Sequence, residues 1–468
     1  MSIKFGTGGF RGVIGDDFIK ENVCKIAQGL SNIAINKNMK KEVVIGYDYR
    51  FLSNEVAKWM SEVFISNGMK VNILNSASPS PTVMFLVENL GLDFGVMITA
   101  SHNPYIFNGV KVFEKGGYDA DVSFTNEIEK EINNLDSFNH IDYEIGLKNN
   151  LIKEIDGITP FINNILKFVK NINPSIKIGF DNLNGVAAIS LKPLFNKVGI
   201  KNVTILNENR DPLFRGKMPN PIEANLNDLK KLVKENKLDI GIATDSDADR
   251  LGVIDELGNY VTSNEILASI YYFLVKYLNE KGDIVKNCAT SNLIDDVANK
   301  LGYKCHEVDV GFKNITHTMS KYDCLIGGES SGGLTIRGYI HGKDSSFSIM
   351  MFLMALSVSK KSVSELVKEV KDFSGYHQFV TEDFISYKKE NEDKIIDYLK
   401  HHEPKFVLPL VKKEVYNRNF KYYFCDNQWI LIRLSGTEPV FRIFSEMNDA
   451  LMAIEDIKRL DQYVRDIN

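Results

Sequence analysis

One pattern recurs along the chain: a short apolar run, a longer stretch with apolar positions every three or four residues, then another apolar run. Val43-Val44-Ile45-Gly46-Tyr47-Asp48 reads as a buried strand. Ser53 then caps a helix whose apolar face is Val56, Trp59, Met60, Val63 and Phe64, stopped by Gly68. Residues 71–74 return as a strand, Pro81 opens a helix that Gly91 ends, and Phe94–Ile98 is a third apolar run. A second round begins at residues 176–181, Ile-Lys-Ile-Gly-Phe-Asp, which echo the pattern ending in Gly46-Tyr47-Asp48. It continues through a helix ending at Gly199, a strand at 203–206, a helix bearing Leu226, Leu229, Leu232 and Val233, and a strand at 240–243. In the third round Ser263 caps a helix over 266–278, a strand lies near Ile284, a helix surrounds Val297, and a glycine-rich turn spans 327–333. Past Tyr376 the texture changes to charged helical stretches, strands at 429–432 and 440–444 around a tight turn, and a closing helix carrying Leu451, Ile454, Ile457 and Leu460. The alternation predicts an α/β fold class: three related α/β domains with mixed, mostly parallel sheets, and a smaller α+β C-terminal domain.

Composition narrows the partners. The 468 residues are 44% apolar, enough for sizeable cores. Charged residues make up 25%, the formal net charge is −5, and Lys and Arg are spread evenly, which points away from nucleic acid and membrane surfaces and toward small molecules. Five scattered cysteines, Cys24, Cys288, Cys305, Cys324 and Cys425, have no CxxC spacing and suit a reducing cytoplasm. The amino terminus carries no apolar signal segment, and the most apolar window, 347–358, falls short of the ~20 residues that span a bilayer, so it reads as a buried helix.

Five stretches carry chemistry. Thr99-Ala100-Ser101-His102-Asn103-Pro104 follows a strand, with Lys111 a short way on, so Ser101 is an exposed nucleophile candidate; on Ser-His alone, a plain polar turn is the better reading. Phe5-Gly6-Thr7-Gly8-Gly9-Phe10-Arg11-Gly12 is either a flexible leader or a glycine backbone that approaches an anion beside Arg11. Asp245-Ser246-Asp247-Ala248-Asp249-Arg250 sets three carboxylates at alternating positions after a strand, a donor set for Mg²⁺ that leaves room for a phosphoryl oxygen. An EF-hand loop is disfavoured because Arg250 stands where that loop needs glycine. Glu329 and Ser331, within Gly327–Gly333, suit sugar hydroxyls, and Arg433 with Ser435, Gly436, Thr437 and Arg442 suits a phosphate monoester that is not transferred.

In order, FGTGGFRG, TASHNP, DSDADR, GGESSGG and RLSGTEP resemble the α-D-phosphohexomutase superfamily, the phosphoglucomutases and phosphomannomutases, across nearly the whole chain. The resemblance implies four domains, here 1–152, 153–258, 259–374 and 375–468. It implies that Ser101 is a phosphoserine whose phosphate completes a Mg²⁺ site with Asp245, Asp247 and Asp249. It also implies that Arg11, His102, Lys111 and Arg250 surround it, that Glu329 and Ser331 hold sugar hydroxyls, and that Lys313 and Lys343 contact substrate. Arg433, Ser435, Gly436, Thr437 and Arg442 would hold the distal phosphate. The implied reaction interconverts hexose 1-phosphate and hexose 6-phosphate through a hexose 1,6-bisphosphate, with glucose 1,6-bisphosphate as activator and Lys111 preferred to His102 as the base, provided its surroundings depress its pKa. Glucose leads mannose as substrate, with glucosamine and pentose phosphates behind, because Gly333 stands where many mannose- and glucosamine-active relatives carry His. Ser246, Ser330 and Leu434 also depart from common family residues, and Ser345-Ser346 is unusual. A phosphoserine-dependent sugar phosphatase and a non-catalytic sugar-phosphate sensor are the rivals. The chain is expected to be a cytoplasmic monomer or weak homo-oligomer.

Overall fold

The computed structural model describes residues 3–6, 9–434 and 439–467. Its elements build four sheets in chain order. In the first, Glu42–Tyr47 lies between Lys70–Leu74 and Phe94–Ile98, parallel to both, and Phe107–Glu114 then runs back antiparallel beside Phe94–Ile98. The second sheet repeats this plan: Ile178–Asp181 lies between Val203–Leu206 and Ile240–Thr244, and Leu251–Ile254 returns antiparallel. The third repeats it again with Ile284–Asn287 between Cys305–Val308 and Ile326–Gly328, followed by Leu334–Ile336. Each sheet is thus mixed, with a parallel centre and an antiparallel return, and the echo between residues 43–48 and 176–181 marks equivalent central strands. The fourth sheet is antiparallel throughout, in the order Phe379–Ser386, Val440–Met447, Trp429–Leu434, Asn419–Tyr423 and Lys412–Tyr416.

The apolar stretch near 347–358 is the helix Ser345–Ser359, buried on all sides for most of its length within a core that runs through the first three domains. No single described helix is long and apolar enough to cross a membrane. Three local expectations are corrected. Ser53 does not cap its helix; its hydroxyl donates to Asp48 at 2.8 Å instead. Thr262, not Ser263, caps Ser263–Lys276, in a reciprocal pair with Glu265. In the closing helix Ala450–Ile467, Leu460 and Ile457 pack on the domain core as expected, but Leu451 and Ile454 are exposed, and Ala453 and Val464 complete the buried face. The described residues of the glycine-rich start are not a flexible leader: Phe5–Gly6 and Gly9–Val13 are strands, the latter laid on Phe107–Glu114. A Cβ on Gly9 would stand 2.3 Å from the Val110 carbonyl oxygen, so glycine is required for that approach.

Candidate active site

The three repeats put the three chemical loops at one structural position. Ser101 lies between Phe94–Ile98 and its return strand, Asp245 to Asp249 between Ile240–Thr244 and Leu251–Ile254, and Glu329 between Ile326–Gly328 and Leu334–Ile336. All three are loops at carboxyl ends of parallel strands, where open sheets collect ligands.

Ser101 adopts φ 49°, a left-handed conformation unusual for serine, and is only 2% exposed. The expectation of an exposed nucleophile is therefore overturned: the acidic loop of the second domain covers it. A residue the sequence reading passed over holds the loop in this shape. The buried Arg50 guanidinium donates to the carbonyls of Ser101, Asn103 (2.6 Å), Pro104 (3.0 Å) and Phe107 (3.0 Å). Asp48, whose Oδ2 lies 3.5 Å from Arg50 Nε, accepts from the hydroxyls of Thr99 (2.7 Å) and Ser53 (2.8 Å). The available signal was an Asp-x-Arg pair directly after an apolar strand.

Across the domain boundary, Ser101 Oγ donates to Asp245 Oδ2 at 2.8 Å. Carboxylate oxygens of Asp245, Asp247 and Asp249 lie within 4.8 Å of one another, and all three residues are buried. Burial, then repulsion from Asp249 and Asp247, raises Asp245 well above the ordinary carboxyl range, while Lys111, Lys343 and Arg250 override burial and hold Asp249 well below it. The Oδ1 atoms of Asp247 and Asp249 are buried with no hydrogen-bond partner. Leaving such oxygens unpaired is costly, and three hard donors facing one point suit Mg²⁺, so the residues fit the ion. Ser80 Oγ, at the start of the helix Ser80–Asn89, donates to Asp247 Oδ2 at 2.6 Å, and Ser246 Oγ donates to the Ser101 carbonyl at 2.5 Å, so hydroxyls stitch the acidic loop to the first domain.

Positive groups ring this centre. Lys111 Nζ donates to Asp247 at 2.6 Å and Asp249 at 2.9 Å. Burial alone would lower its pKa, but the two carboxylates hold it above the ordinary lysine range, the opposite of the depression a base requires. His102 Nδ1 is 3.3 Å from Ser101 Oγ; burial, then Arg250 and Arg11, keep the imidazole neutral. Arg11 reaches Asn103 Oδ1 at 2.5 Å, its pKa lowered to about 10 by burial and by Arg250, and Arg250 Nε is 3.9 Å from Asp249 and 4.0 Å from Asp245.

The third domain brings Glu329, which accepts from Asn287 Nδ2 at 3.1 Å, and the half-buried Ser331. Lys343 Nζ stands 3.7 Å from Asp249 and 3.9 Å from Glu329. Lys313, in the first turn of Phe312–Tyr322, acts electrostatically on Glu114 and Asp121 of the first domain. Asp119, another carboxyl the sequence reading missed, shares this region: burial raises its pKa against the pull of Lys343 and Lys111. In the fourth domain Arg433 and Arg442 face each other directly across a strand pair. Burial, then Arg442, lowers Arg433, and like charges so placed are unfavourable unless an anion sits between them. Ser435, Gly436 and Thr437 lie outside the described residues.

Comparison with known proteins agrees with this geometry. Residues 2–139, 159–258 and 262–373 match the family models for phosphoglucomutase/phosphomannomutase alpha/beta/alpha domains I, II and III respectively. A Thermococcus kodakarensis phosphoglucomutase/phosphomannomutase is 30% identical over 458 residues, covering 95% of each chain. A Sulfurisphaera tokodaii phosphoglucosamine/phosphogalactosamine mutase is 29% identical over 477 residues, covering 99% of each. The crystal structure of a putative phosphomannomutase from Thermus thermophilus superposes with a TM-score of 0.85 at 25% identity over 99% of both chains. With the acidic triad placed against the serine loop, and family models matching most of its length, the chain belongs to the phosphoglucomutase/phosphomannomutase family of the α-D-phosphohexomutase superfamily, isomerases that transfer a phosphoryl group within a sugar phosphate.

Proposed function

We propose that this enzyme interconverts hexose 1-phosphate and hexose 6-phosphate through a phosphoserine at Ser101 and a bound hexose 1,6-bisphosphate. The observation that carries the reading is Ser101 Oγ at 2.8 Å from Asp245, beside two buried carboxylate oxygens that have no hydrogen-bond partner among the described residues. Asp245, Asp247 and Asp249, with the Ser101 phosphate, would hold Mg²⁺, which when bound neutralises phosphoryl charge. In the forward step a hexose hydroxyl forms a bond to phosphorus as the Ser101 Oγ–P bond breaks. The bisphosphate turns over, and its other phosphoryl group returns to Ser101. Arg11, Arg250 and Lys111 supply positive charge around the transferred group, and transfer is mainly positioning and charge neutralisation. The hydroxyl proton passes to a base within the pocket; Lys111 and His102 are the two candidates, and Lys111 must first be released from its ion pairs with Asp247 and Asp249. Glu329 and Ser331 grip ring hydroxyls, and Arg433 with Arg442 receives the phosphate that stays in place. The relatives' names span glucose, mannose and glucosamine, which favours a broader or different hexose choice over a glucose-only enzyme and leaves the discrimination among these sugars to the site itself.

The test is bisphosphate dependence. Dephosphorylated enzyme should be nearly silent on hexose 1-phosphate and active once trace glucose 1,6-bisphosphate is added, and intact mass should show one phosphoryl group that Ser101→Ala lacks. Release of free phosphate without isomerisation would establish the phosphatase reading instead.

A further inference from the structure

Gly333 and Lys343 share one volume. A Cβ on Gly333 would stand 2.1 Å from Lys343 Cδ, 2.3 Å from Cγ and 3.0 Å from Cβ, so the lysine stem fills the space that any side chain at 333 would need. The stem occupies that space, and the side chain is only 17% exposed. Its ammonium lies 3.9 Å from Glu329 Oε1, 3.7 Å from Asp249 Oδ2 and 6.0 Å from the centre of the Phe312 ring.

Glu329 is the carboxylate that the proposed function assigns to ring hydroxyls, and the present inference rests on that assignment. A hydroxyl within hydrogen-bond length of Glu329, about 2.8 Å, brings the substituent on the neighbouring ring carbon close to Lys343. A hydroxyl there accepts a hydrogen bond from the ammonium. A sugar ammonium cannot, because both groups are donors without a lone pair and both are cations. Lys343 also compensates the charge of Glu329, which would otherwise attract a cation. Two charges about 6 Å apart at an effective dielectric of about 20 disfavour the pair by roughly ten- to a hundredfold.

We infer that Lys343, seated in the space Gly333 leaves, is a specificity determinant that admits neutral hexose phosphates and rejects hexosamine phosphates carrying a ring ammonium. Of the activities borne by its relatives' names, the chain therefore takes the glucose and mannose forms rather than the glucosamine form.

The experiment compares kcat/KM for glucose 1-phosphate, mannose 1-phosphate and glucosamine 1-phosphate in the phosphorylated enzyme with Mg²⁺. The wild type should favour glucose over glucosamine by roughly tenfold or more. Lys343→Met, which keeps the stem and removes the charge, should shrink that ratio at least tenfold, Lys343→Arg should preserve it, and Gly333→Ala, which displaces the stem, should shift it as Lys343→Met does. Where a variant turns over too slowly, calorimetric binding of glucose 6-phosphate and glucosamine 6-phosphate in a Ser101→Ala background reads the same ratio. Wild-type preference for glucosamine 1-phosphate, or an unchanged ratio in Lys343→Met, overturns the inference while leaving the mutase reading intact. No turnover of any hexose phosphate overturns both.

Discussion

Asp247 makes the sharpest residue-scale case, because one of its oxygens is committed to Lys111 and Ser80 while the other is buried with no hydrogen-bond partner among the described residues. Asp247→Asn replaces a charged donor with a neutral one, so the Mg²⁺ concentration for half-maximal activity should rise by roughly tenfold or more, with the far-ultraviolet circular dichroism unchanged. Near-parental activity at limiting Mg²⁺ would remove this residue from the metal site. Arg50 is the complementary case, a residue with no assigned chemistry that shapes the Ser101 loop through four carbonyls. Its planar fork cannot be reproduced by an ammonium, and removing it leaves the buried Asp48 without its cation. Arg50→Ala should therefore cost about 3–5 kcal/mol of stability, read from urea unfolding.

At the scale of elements, the Ser345–Ser359 helix explains the unusual Ser345-Ser346 pair. Ser345 Oγ donates to the Ala248 carbonyl at 2.8 Å, and its backbone N–H donates to the same oxygen at 3.1 Å. Ala248 sits at φ 59° in the middle of the acidic loop, so the third domain's helix braces that loop of the second. Ser346 Oγ meets Ser190 Oγ at 2.8 Å, a second tie between the same domains. Ser345→Ala should lose about 1 kcal/mol of stability and weaken Mg²⁺ activation, and Ser345→Thr should restore part of both. The same helix is capped by Asp344, whose side chain accepts from the Phe347 N–H at 3.1 Å and from Tyr339 OH at 2.5 Å. Burial raises the Asp344 carboxyl to about 7 despite those bonds. The folded state thus holds this proton over a pH range where the unfolded chain has released it. The associated stability is full below the unfolded pKa, near 4, and is lost as pH rises through about 7. Asp344→Asn keeps the cap, so thermal unfolding should show a weaker fall in stability from pH 5 to pH 8 than the wild type. Identical profiles would exclude Asp344 as the source.

Across the whole molecule, assembly of the site depends on how the fourth domain is held. Glu446, buried in Val440–Met447, accepts from Trp429 Nε1 at 2.7 Å, from the Asn292 N–H at 2.8 Å, and from the hydroxyls of Ser291 and Tyr376. Lys421 crosses the same boundary to Glu307 at 2.8 Å, its ammonium 4.4 Å from the Trp429 ring centre. The ties to Ser291, Asn292 and Glu307 join the third domain to the sheet that carries Arg433 and Arg442. Glu446→Ala strands several buried donors, so it should lower stability by about 2–4 kcal/mol and raise KM more than it lowers kcat, since Arg433 and Arg442, proposed to hold the distal phosphate, lose their seat. A variant with parental KM and stability would show that the fourth domain is positioned by other contacts.

Much of this was legible before any coordinates. Alternating apolar runs dictate strands and helices because the two periods are local, and the Gly-Tyr-Asp and Gly-Phe-Asp echo announced a repeated unit. The acidic loop carried its own signal, since three carboxylates at alternating positions need no distant residue to be recognised as a donor set. Contacts between distant segments were not legible. Ser101 looked exposed because the loop that buries it lies 144 residues away. Lys111 looked free to act as a base because Asp247 and Asp249 belong to another domain. Arg50, Ser345 and Glu446 carry no chemical signature; their importance comes from the carbonyls and donors that folding places against them. Local periodicity and composition determined the elements and the candidate groups, whereas burial, charge compensation and the sharing of one volume by Gly333 and Lys343 were decided by tertiary structure, because each depends on which distant atoms exclude water from the same space.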